Sequence, residues 1–466
     1  MTARPLTERL ARGAAPGAAI ATASALLVSL PSAPGIAGLA GLLLAAATAF
    51  AALLASWLAL PQLMLMLVPA LLPIPLVGLV FPWEMTLLAL AGAIVLHGWR
   101  LRARWLWQLS DIECWLLLFT AWALFTGFWS HASLYYLLGM RRLLTGLCAL
   151  WVATRLPHVA SRRWFEASIV AGAFLIALAA VGRSLTTGLT SVQTMLHRTE
   201  VTNLGWGTAN YVATLLLLCG PFLLRIVLGG RPVARVFAGI AFALATVVQL
   251  VVASRAATVL FMLAAVLQLV HAARRLRVLI GLVAAGVVAA LVASPLGAGF
   301  VMRFVSLREL GSMTIRIWYF REGWHRLLAH LPWGMGLGQG YANPDHLHGI
   351  DPHDIWLLVG GDLGIPGLVL WAGVLVSMVR GWLAVRTDEP GRELAFATLL
   401  AFAAGNLHAL VEPTFQGVHY QLVFMWSVCG TLAYAQAERA SRATEPRPGA
   451  AQAEPAWEAG SATSRA

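Results

Sequence analysis

Long apolar runs dominate the chain, and short connections that carry Arg residues separate them. Each run is continuous over about 20 residues, the length of helix that crosses a hydrocarbon core of roughly 30 Å. Lipid offers backbone groups no water, so only helices and closed barrels span it, and continuous rather than alternating runs favour helices. The pattern predicts an all-α polytopic membrane protein with 12 to 14 transmembrane helices, and we favour 12.

The basic residues form clusters that recur after every second apolar span. Two apolar spans and an Arg-poor connection lie between successive Arg clusters, as the positive-inside rule requires, so both termini are predicted to be cytoplasmic. Examples of these clusters are Arg100, Arg102 and Arg104; Arg155, Arg162 and Arg163; and Arg225, Arg231 and Arg235.

A polar stretch from Met302 to Leu370 interrupts the late part of the chain and falls on the outer side of the predicted topology. It divides the chain into four predicted segments. N-terminal transmembrane helices occupy residues 1–296 and a large outer catalytic loop with amphipathic helices residues 297–353. C-terminal transmembrane helices follow in 354–436, then a disordered cytoplasmic tail in 437–466. Residues Gly334 to Gly340 are expected to form a flexible exit from the loop.

Composition excludes a soluble domain, since 59% of residues are hydrophobic and only 11% are charged. The net charge of +12 is dispersed among loops, so membrane topology explains it better than nucleic-acid binding. All 32 basic residues are Arg, which reflects either the codon bias of a GC-rich genome or repeated phosphate recognition. The four cysteines lie in apolar runs without a CxxC motif and are expected to be packing residues.

The predicted topology brings several arginines to the outer membrane level: Arg141 or Arg142, Arg183 and Arg255, beside Arg316 of the loop. Arg within a membrane costs about 3 kcal/mol or more, so it normally faces a cavity or a partner. These side chains either extend to the membrane interface and cap helix ends, or they bind an anion. Guanidinium groups are in excess over acidic side chains at this level, which favours a diphosphate ligand. Candidate acidic partners at this level are Glu200, Glu309, Glu322, Asp345, Asp351, Asp354 and Asp362.

Three histidines of the loop have two interpretations. His346, His348 and His353 are spaced closely enough to bind zinc, but no Cys accompanies them. Alternatively, His353, which directly precedes an apolar helix, acts as a general base whose ring Asp351 or Asp354 orients. We favour the base and expect neither a metal nor another cofactor.

Arg316, Phe320 and Trp324 recur at helical spacing and predict an amphipathic helix in the loop. The aromatic residues of this stretch, Trp318 among them, are expected either to anchor it at the membrane interface or to stack on sugar rings.

Five motifs in order resemble the O-antigen ligase and polymerase superfamily, and within it the ligase that completes lipopolysaccharide. They are Ser254-Arg255-Ala256; Arg316-Ile317-Trp318; His330-Leu331-Pro332 before Gly334-x-Gly336-x-Gly338; His353-Asp354-x-x-Leu357; and Gly361-Asp362-Leu363-Gly364. Asp354 and Asp362 depart from the Asn and Glu that the family often has there.

The resemblance implies a GT-C-like glycosyltransferase in the bacterial inner membrane, with its active site facing the periplasm. It would transfer a glycan from undecaprenyl diphosphate to lipid A-core. His353 would take the acceptor's proton, while Arg255 and Arg316 bind the diphosphate; membrane lipids would be further partners, and nucleic acid none. The supporting residues would be Arg142, Arg183, Arg321, Ser254, Asp354 and Trp318.

Three alternatives stay open: an O-antigen polymerase, a ligase that transfers glycan to protein, and a transporter or flippase of an anionic glycolipid. Polymerases of this superfamily tend to have a second Arg-bearing outer loop. Between Thr186 and Gly207 only Arg198 is basic, which favours the ligase. A transporter would place its charges near the bilayer midplane rather than on one face.

Overall fold

A computed structural model of the protein describes residues 61–73, 81–131, 133–186, 209–252, 254–271, 310–339, 353–385, 389–412 and 418–444. The regular elements of these residues are helices, with no strand among them. In chain order the α-helices are α1 Pro61–Ala70, α2 Pro82–Arg100, α3 Asp111–Phe125, α4 Ser133–Val159, α5 Arg162–Thr186, α6 Ala209–Gly229, α7 Pro232–Val252, α8 Arg255–His271, α9 Leu310–Ala329, α10 Ile355–Val385, α11 Glu389–His408, α12 Val418–Phe424 and α13 Thr431–Thr444. A π-helix, Met425–Gly430, joins α12 to α13.

Six helical stretches of the described residues are long and apolar enough to cross a membrane. They are Arg104–Phe128, which includes α3, and the helices α4, α5, α6, α7 and α10. For the described residues, the prediction of an all-α protein with helices able to span a membrane is therefore confirmed. The predicted spans before Pro61 and between α8 and α9 lie outside the described residues, so the total of 12 stays a prediction.

Helix α6 lies at the centre of the bundle. It packs against α5, α7, α8, α11 and α12. The run Leu215–Leu218 is fully buried, so the middle of this helix is covered by other helices on every side.

One end of the bundle is held by ion pairs. Glu113, which with Ser110 caps the start of α3, forms a fully buried ion pair with Arg155 at the end of α4. Glu166 at the start of α5 binds both Arg162 and Arg225, each at 2.7 Å. The Arg clusters that the sequence assigns to the cytoplasmic side therefore share one end of the bundle.

The opposite end, here called the polar end, is joined by hydrogen bonds from buried polar side chains. Gln249 Nε2 of α7 donates to Ala213 O of α6 at 2.7 Å, and Thr258 Oγ1 of α8 donates to Gln249 O at 3.1 Å. Thr214 Oγ1 lies 3.3 Å from His408 Nδ1, at the end of α11. The first turns of α6 and α8 and the last turns of α7 and α11 are thus level.

Helix α10 is broken at Gly364, whose φ of 67° and ψ of −162° are not helical. The backbone groups freed by the break bind the segment after α9: Met335 N donates to Gly361 O at 2.9 Å, and Ile365 N donates to Pro332 O at 2.8 Å. Gly334, which also has a positive φ, is packed so closely that a Cβ would overlap the backbone of Asp362. The expectation of a flexible exit is wrong for residues 334–339, which are docked on α10.

Candidate active site

Glu412, one turn beyond α11, is the centre of a polar cluster at the polar end. Its backbone N–H donates to His408 O at 3.1 Å, and only 8% of its side chain is exposed. Its Oε1 accepts hydrogen bonds from Asn210 Nδ2 at 2.6 Å and from Arg316 Nη2 at 2.5 Å. Its Oε2 lies 3.6 Å from His353 Nδ1. One carboxylate thus joins α6, α9 and the start of α10.

His353 stands directly before α10 in a backbone conformation that non-glycine residues rarely adopt, with φ of 52°. Its ring centroid lies 5.3 Å from that of Tyr319 on α9. The peptide group between Asp354 and Ile355 is fixed as well, because Ile355 N donates to Ala409 O at 3.0 Å. The imidazole is therefore held between α9 and the end of α11, with 26% of its side chain exposed.

The carboxylate beside the His353 ring is Glu412 rather than a neighbour in sequence. Asp354, predicted as one of two candidates to orient the ring, instead caps α10 by accepting from Leu357 N at 2.9 Å. Burial raises the pKa of Asp354, which the backbone hydrogen bonds offset in part. Asp351, the other candidate, lies outside the described residues.

Opposing effects act on the Glu412 carboxyl. Burial raises its pKa, but the imidazole of His353, the guanidinium of Arg316 and the imidazole of His408 together lower it by more, so the net pKa lies below the ordinary value for Glu. Glu412 is consequently ionised at neutral pH. It is a poor base there and a good partner for an imidazolium or a guanidinium.

Arg316 lies on the predicted amphipathic helix, now seen as α9, and is 40% exposed. Its guanidinium therefore contacts Glu412 on one side and is accessible on another. Trp318 and Arg321 of the same helix are exposed. The structure joins Arg316 and His353 through Glu412, although Glu412 was not among the acidic partners predicted for the arginines.

Ser254 and Arg255 lie at the start of α8, at the polar end. Ser254 is buried, and its carbonyl accepts from Thr258 N at 2.8 Å. Arg255 is half-buried and lies one turn before Thr258, and Asn210 lies one turn before Ala213. Because Gln249 bonds both Thr258 and Ala213, Arg255 and Asn210 are level. The prediction that this arginine shares a membrane level with the loop helix is consistent with that placement.

The two arginines in sequence on α4 have different surroundings. Arg141 makes a two-pronged contact with Glu84, at 2.5 Å and 3.2 Å, and lies over the Phe81 ring. Arg142 lines a cavity on another side of the helix. Arg183 is exposed near the end of α5.

Sequence reasoning missed Glu412 and Asn210. A signal for Glu412 was present, because it is the only acidic residue between Glu393 and Glu438. An isolated carboxylate in an apolar segment is expected to have a partner. Asn210 offered no comparable signal.

His346 and His348, the other members of the possible zinc site, lie outside the described residues. Within the part of the chain that the structure describes, no three His, Cys, Asp or Glu side chains come together as metal ligands would.

Comparison with known proteins adds no relative to this picture. No protein-family model matches the chain, and no curated protein has a matching sequence.

Proposed function

We propose that this protein is a membrane glycosyltransferase of the O-antigen ligase type. It would transfer a preassembled glycan from undecaprenyl diphosphate to a sugar hydroxyl of lipid A-core. The observation that carries the proposal is the grouping of His353, Glu412 and Arg316, which supplies a base, its carboxylate partner and a cation at one end of a bundle of membrane helices.

In this reaction His353 is the general base. With Nδ1 towards Glu412, Nε2 is left to accept the proton of the acceptor hydroxyl, and the ionised Glu412 stabilises the imidazolium that forms. The hydroxyl oxygen attacks the anomeric carbon of the donor sugar. The bond from that carbon to the diphosphate oxygen breaks, and its electron pair leaves with the diphosphate.

Arg316 and Arg255 would stabilise the charge of the departing diphosphate. Guanidinium groups bind phosphate oxygens through paired N–H donors, and donors aimed at developing charge are often the largest catalytic contribution. Arg316 is accessible beside Glu412, and Arg255 is level with it at the polar end. A single displacement inverts the anomeric centre, and the arginines supply the positive charge without a divalent metal.

We also propose that the chain lies in a bacterial inner membrane with the polar end facing the periplasm, in a GT-C-like arrangement of 12 spans. Two features support one-sided chemistry: the Arg316 cluster lies at one end of the helices, and the ion pairs of Glu113 and Glu166 lie at the other. A transporter would be expected to place such groups nearer the middle of its spans.

The test is transfer by the purified full chain in nanodiscs, with undecaprenyl diphosphate-linked glycan and lipid A-core. We expect glycan-capped lipid A-core from the wild type and from His325→Ala, an exposed histidine on α9. His353→Ala should abolish transfer while the protein stays folded, and His346→Ala and His348→Ala should keep substantial activity.

Each other result contradicts a different part of the proposal. Glycan that lengthens on its polyprenyl carrier would identify a polymerase, and transfer to a protein acceptor alone would identify a protein ligase. Equal loss in all three histidine variants, with inhibition by a chelator, would replace the base by a metal. No transfer from any donor would favour a transporter.

A further inference from the structure

The two oxygens of the Glu412 carboxylate have different partners, and two donors share one of them. Oε1 accepts from Asn210 Nδ2 at 2.6 Å and from Arg316 Nη2 at 2.5 Å, while Oε2 lies 3.6 Å from His353 Nδ1. The proposed reaction needs Arg316 at the diphosphate, so this guanidinium has to turn away from Oε1. Asn210 is then the donor that remains.

Arg316 is the donor that can move. It lies on α9, and 40% of its side chain is exposed. Its long side chain has many rotamers, so a phosphate ligand can draw the guanidinium away while the helix keeps its place. Asn210, in contrast, has a short side chain at the start of α6, the central helix of the bundle. Its amide stays where the backbone of α6 puts it.

Asn210 and Glu412 form the upper of two polar contacts between α6 and the end of α11. In the lower contact, one turn deeper, Thr214 Oγ1 lies 3.3 Å from His408 Nδ1, and both residues are fully buried. Thr214 Oγ1 also donates to Asn210 O at 2.7 Å, and Glu412 N donates to His408 O at 3.1 Å. The packed helices therefore hold Asn210 beside Glu412 without help from Arg316.

Stability alone does not explain the amide of Asn210. Its nitrogen faces the carboxylate of Glu412, because an amide oxygen in that place would be repelled. The amide oxygen, Oδ1, is buried and has no hydrogen-bond partner among the residues that the structure describes. An unsatisfied buried acceptor destabilises a fold, whereas a role in the site accounts for an Asn at this position.

The bond to Oε1 also governs what the carboxylate can do for His353. When Arg316 pairs with a diphosphate, Glu412 loses a neighbouring positive charge and attracts an imidazolium more strongly. That gain requires Oε2 to keep facing His353 Nδ1. The last torsion of a Glu side chain is soft, so a donor on Oε1 is needed to keep the carboxylate from turning.

We propose that Asn210 is a positioning residue for transfer: it holds Oε1 of Glu412 while Arg316 binds the diphosphate, and thereby keeps Oε2 directed at His353. The inference deepens the proposed function and rests on it for the reaction. The holding of Glu412 can be measured without any transfer.

Nitrogen NMR of the purified full chain, labelled in its histidine rings, tests the holding directly. A carboxylate that faces Nδ1 favours the tautomer with its proton there, and His353→Ala assigns the signal. Because two donors share Oε1, Asn210→Ala alone and Arg316→Ala alone should each keep that tautomer in His353, while the double variant should lose it. A double variant that keeps the tautomer would overturn the proposal. So would its loss in Arg316→Ala alone, since Asn210 then does not hold Glu412 by itself.

Transfer kinetics supply a second measurement. Asn210→Ala should lower kcat by about 10-fold, the lower end of the range for a hydrogen bond to a charged group, and leave KM for the donor unchanged because Arg316 is intact. Asn406→Ala is the matched control and should keep the wild-type kcat, because its amide donates to Phe402 O of its own helix at 2.8 Å. If the alanine variant does not fold, Asn210→Ser replaces it. Unchanged kcat in a folded variant of Asn210, or an equal loss in Asn406→Ala, would overturn the assignment.

The two proposals can fail separately. If the wild type transfers no glycan while only the double variant loses the tautomer, the proposed function is wrong and the holding of Glu412 by Asn210 stands. If the wild type transfers glycan while the double variant keeps the tautomer, the transferase stands and the role of Asn210 is wrong.

Discussion

Replacing Glu412 by Gln removes the charge that joins Arg316 to His353 while keeping the shape of the side chain. The expected loss follows from the distance of 3.6 Å between the carboxylate and the ring nitrogen. At that separation two unit charges attract by about 1 kcal/mol in water and by about 5 kcal/mol at an effective dielectric constant of 20. Because 26% of the His353 side chain is exposed, a value between these limits applies.

We take about 2 to 3 kcal/mol for the stabilisation of the imidazolium, which corresponds to a loss in kcat of about 30- to 150-fold. The assay is steady-state transfer with kcat and KM measured separately. Glu322→Gln is the matched control, because Glu322 pairs with Arg326 on the same α9 and, among the described residues, forms no hydrogen bond or ion pair with His353 or Glu412. Its kcat should be within about twofold of the wild type, as expected for a local helix pair.

A double variant distinguishes positioning from direct catalysis. If Glu412 acts through His353, then Glu412→Gln adds little further loss to any residual transfer that long incubation detects in His353→Ala, because the two side chains act as a unit. Full additivity of the two losses would refute the reasoning. So would a folded Glu412→Gln protein with unchanged kcat.

Two further predictions concern the residues that hold the cluster. Gly364→Ala should destabilise the protein by at least about 2 kcal/mol, because Gly364 has a positive φ and an added Cβ would overlap the docked segment. The measurement is Tm in detergent, which should fall. Gly361→Ala is the control and should keep its Tm, since an added Cβ there meets nothing within 4 Å. Asp354→Ala should lower the free energy of unfolding by about 1 kcal/mol, because it removes a helix cap. Its kcat should fall less than that of Glu412→Gln. A larger loss of kcat than in Glu412→Gln would show that Asp354, not Glu412, orients His353.

The sequence predicted the helices well and their partners poorly. The break between two spans at Ala253 to Ala256 matches the end of α7 at Val252 and the start of α8 at Arg255. The amphipathic pattern of Arg316 likewise matches α9. Both signals are local, since periodicity and chain breaks depend on neighbouring residues.

Long-range pairing could not be predicted in the same way. Arg316 and Glu412 are 96 residues apart in sequence, and the packing of α9 on α10, beside the residues that follow α11, brings them together. Arg141 and Arg142 are adjacent, yet about 100° of rotation around α4 gives one a carboxylate and the other a cavity. The docking of Gly334 on α10 depends on the break at Gly364, which sequence alone does not reveal.

The backbone clamp between the segment after α9 and the broken α10 has a consequence for how this protein can vary. The segment is fixed up to Gln339, whose Nε2 donates to Ser130 Oγ at 2.9 Å, and the chain is fixed again from His353. A Cβ at Gly334 would overlap the backbone of Asp362 and Gly364, and a Cβ at Gly364 would overlap the backbone of Pro332 and Gly334. Neither glycine can gain a side chain while the other segment keeps its position. We therefore expect these two positions to accept only Gly, while exposed positions of α9 such as His325 accept many side chains.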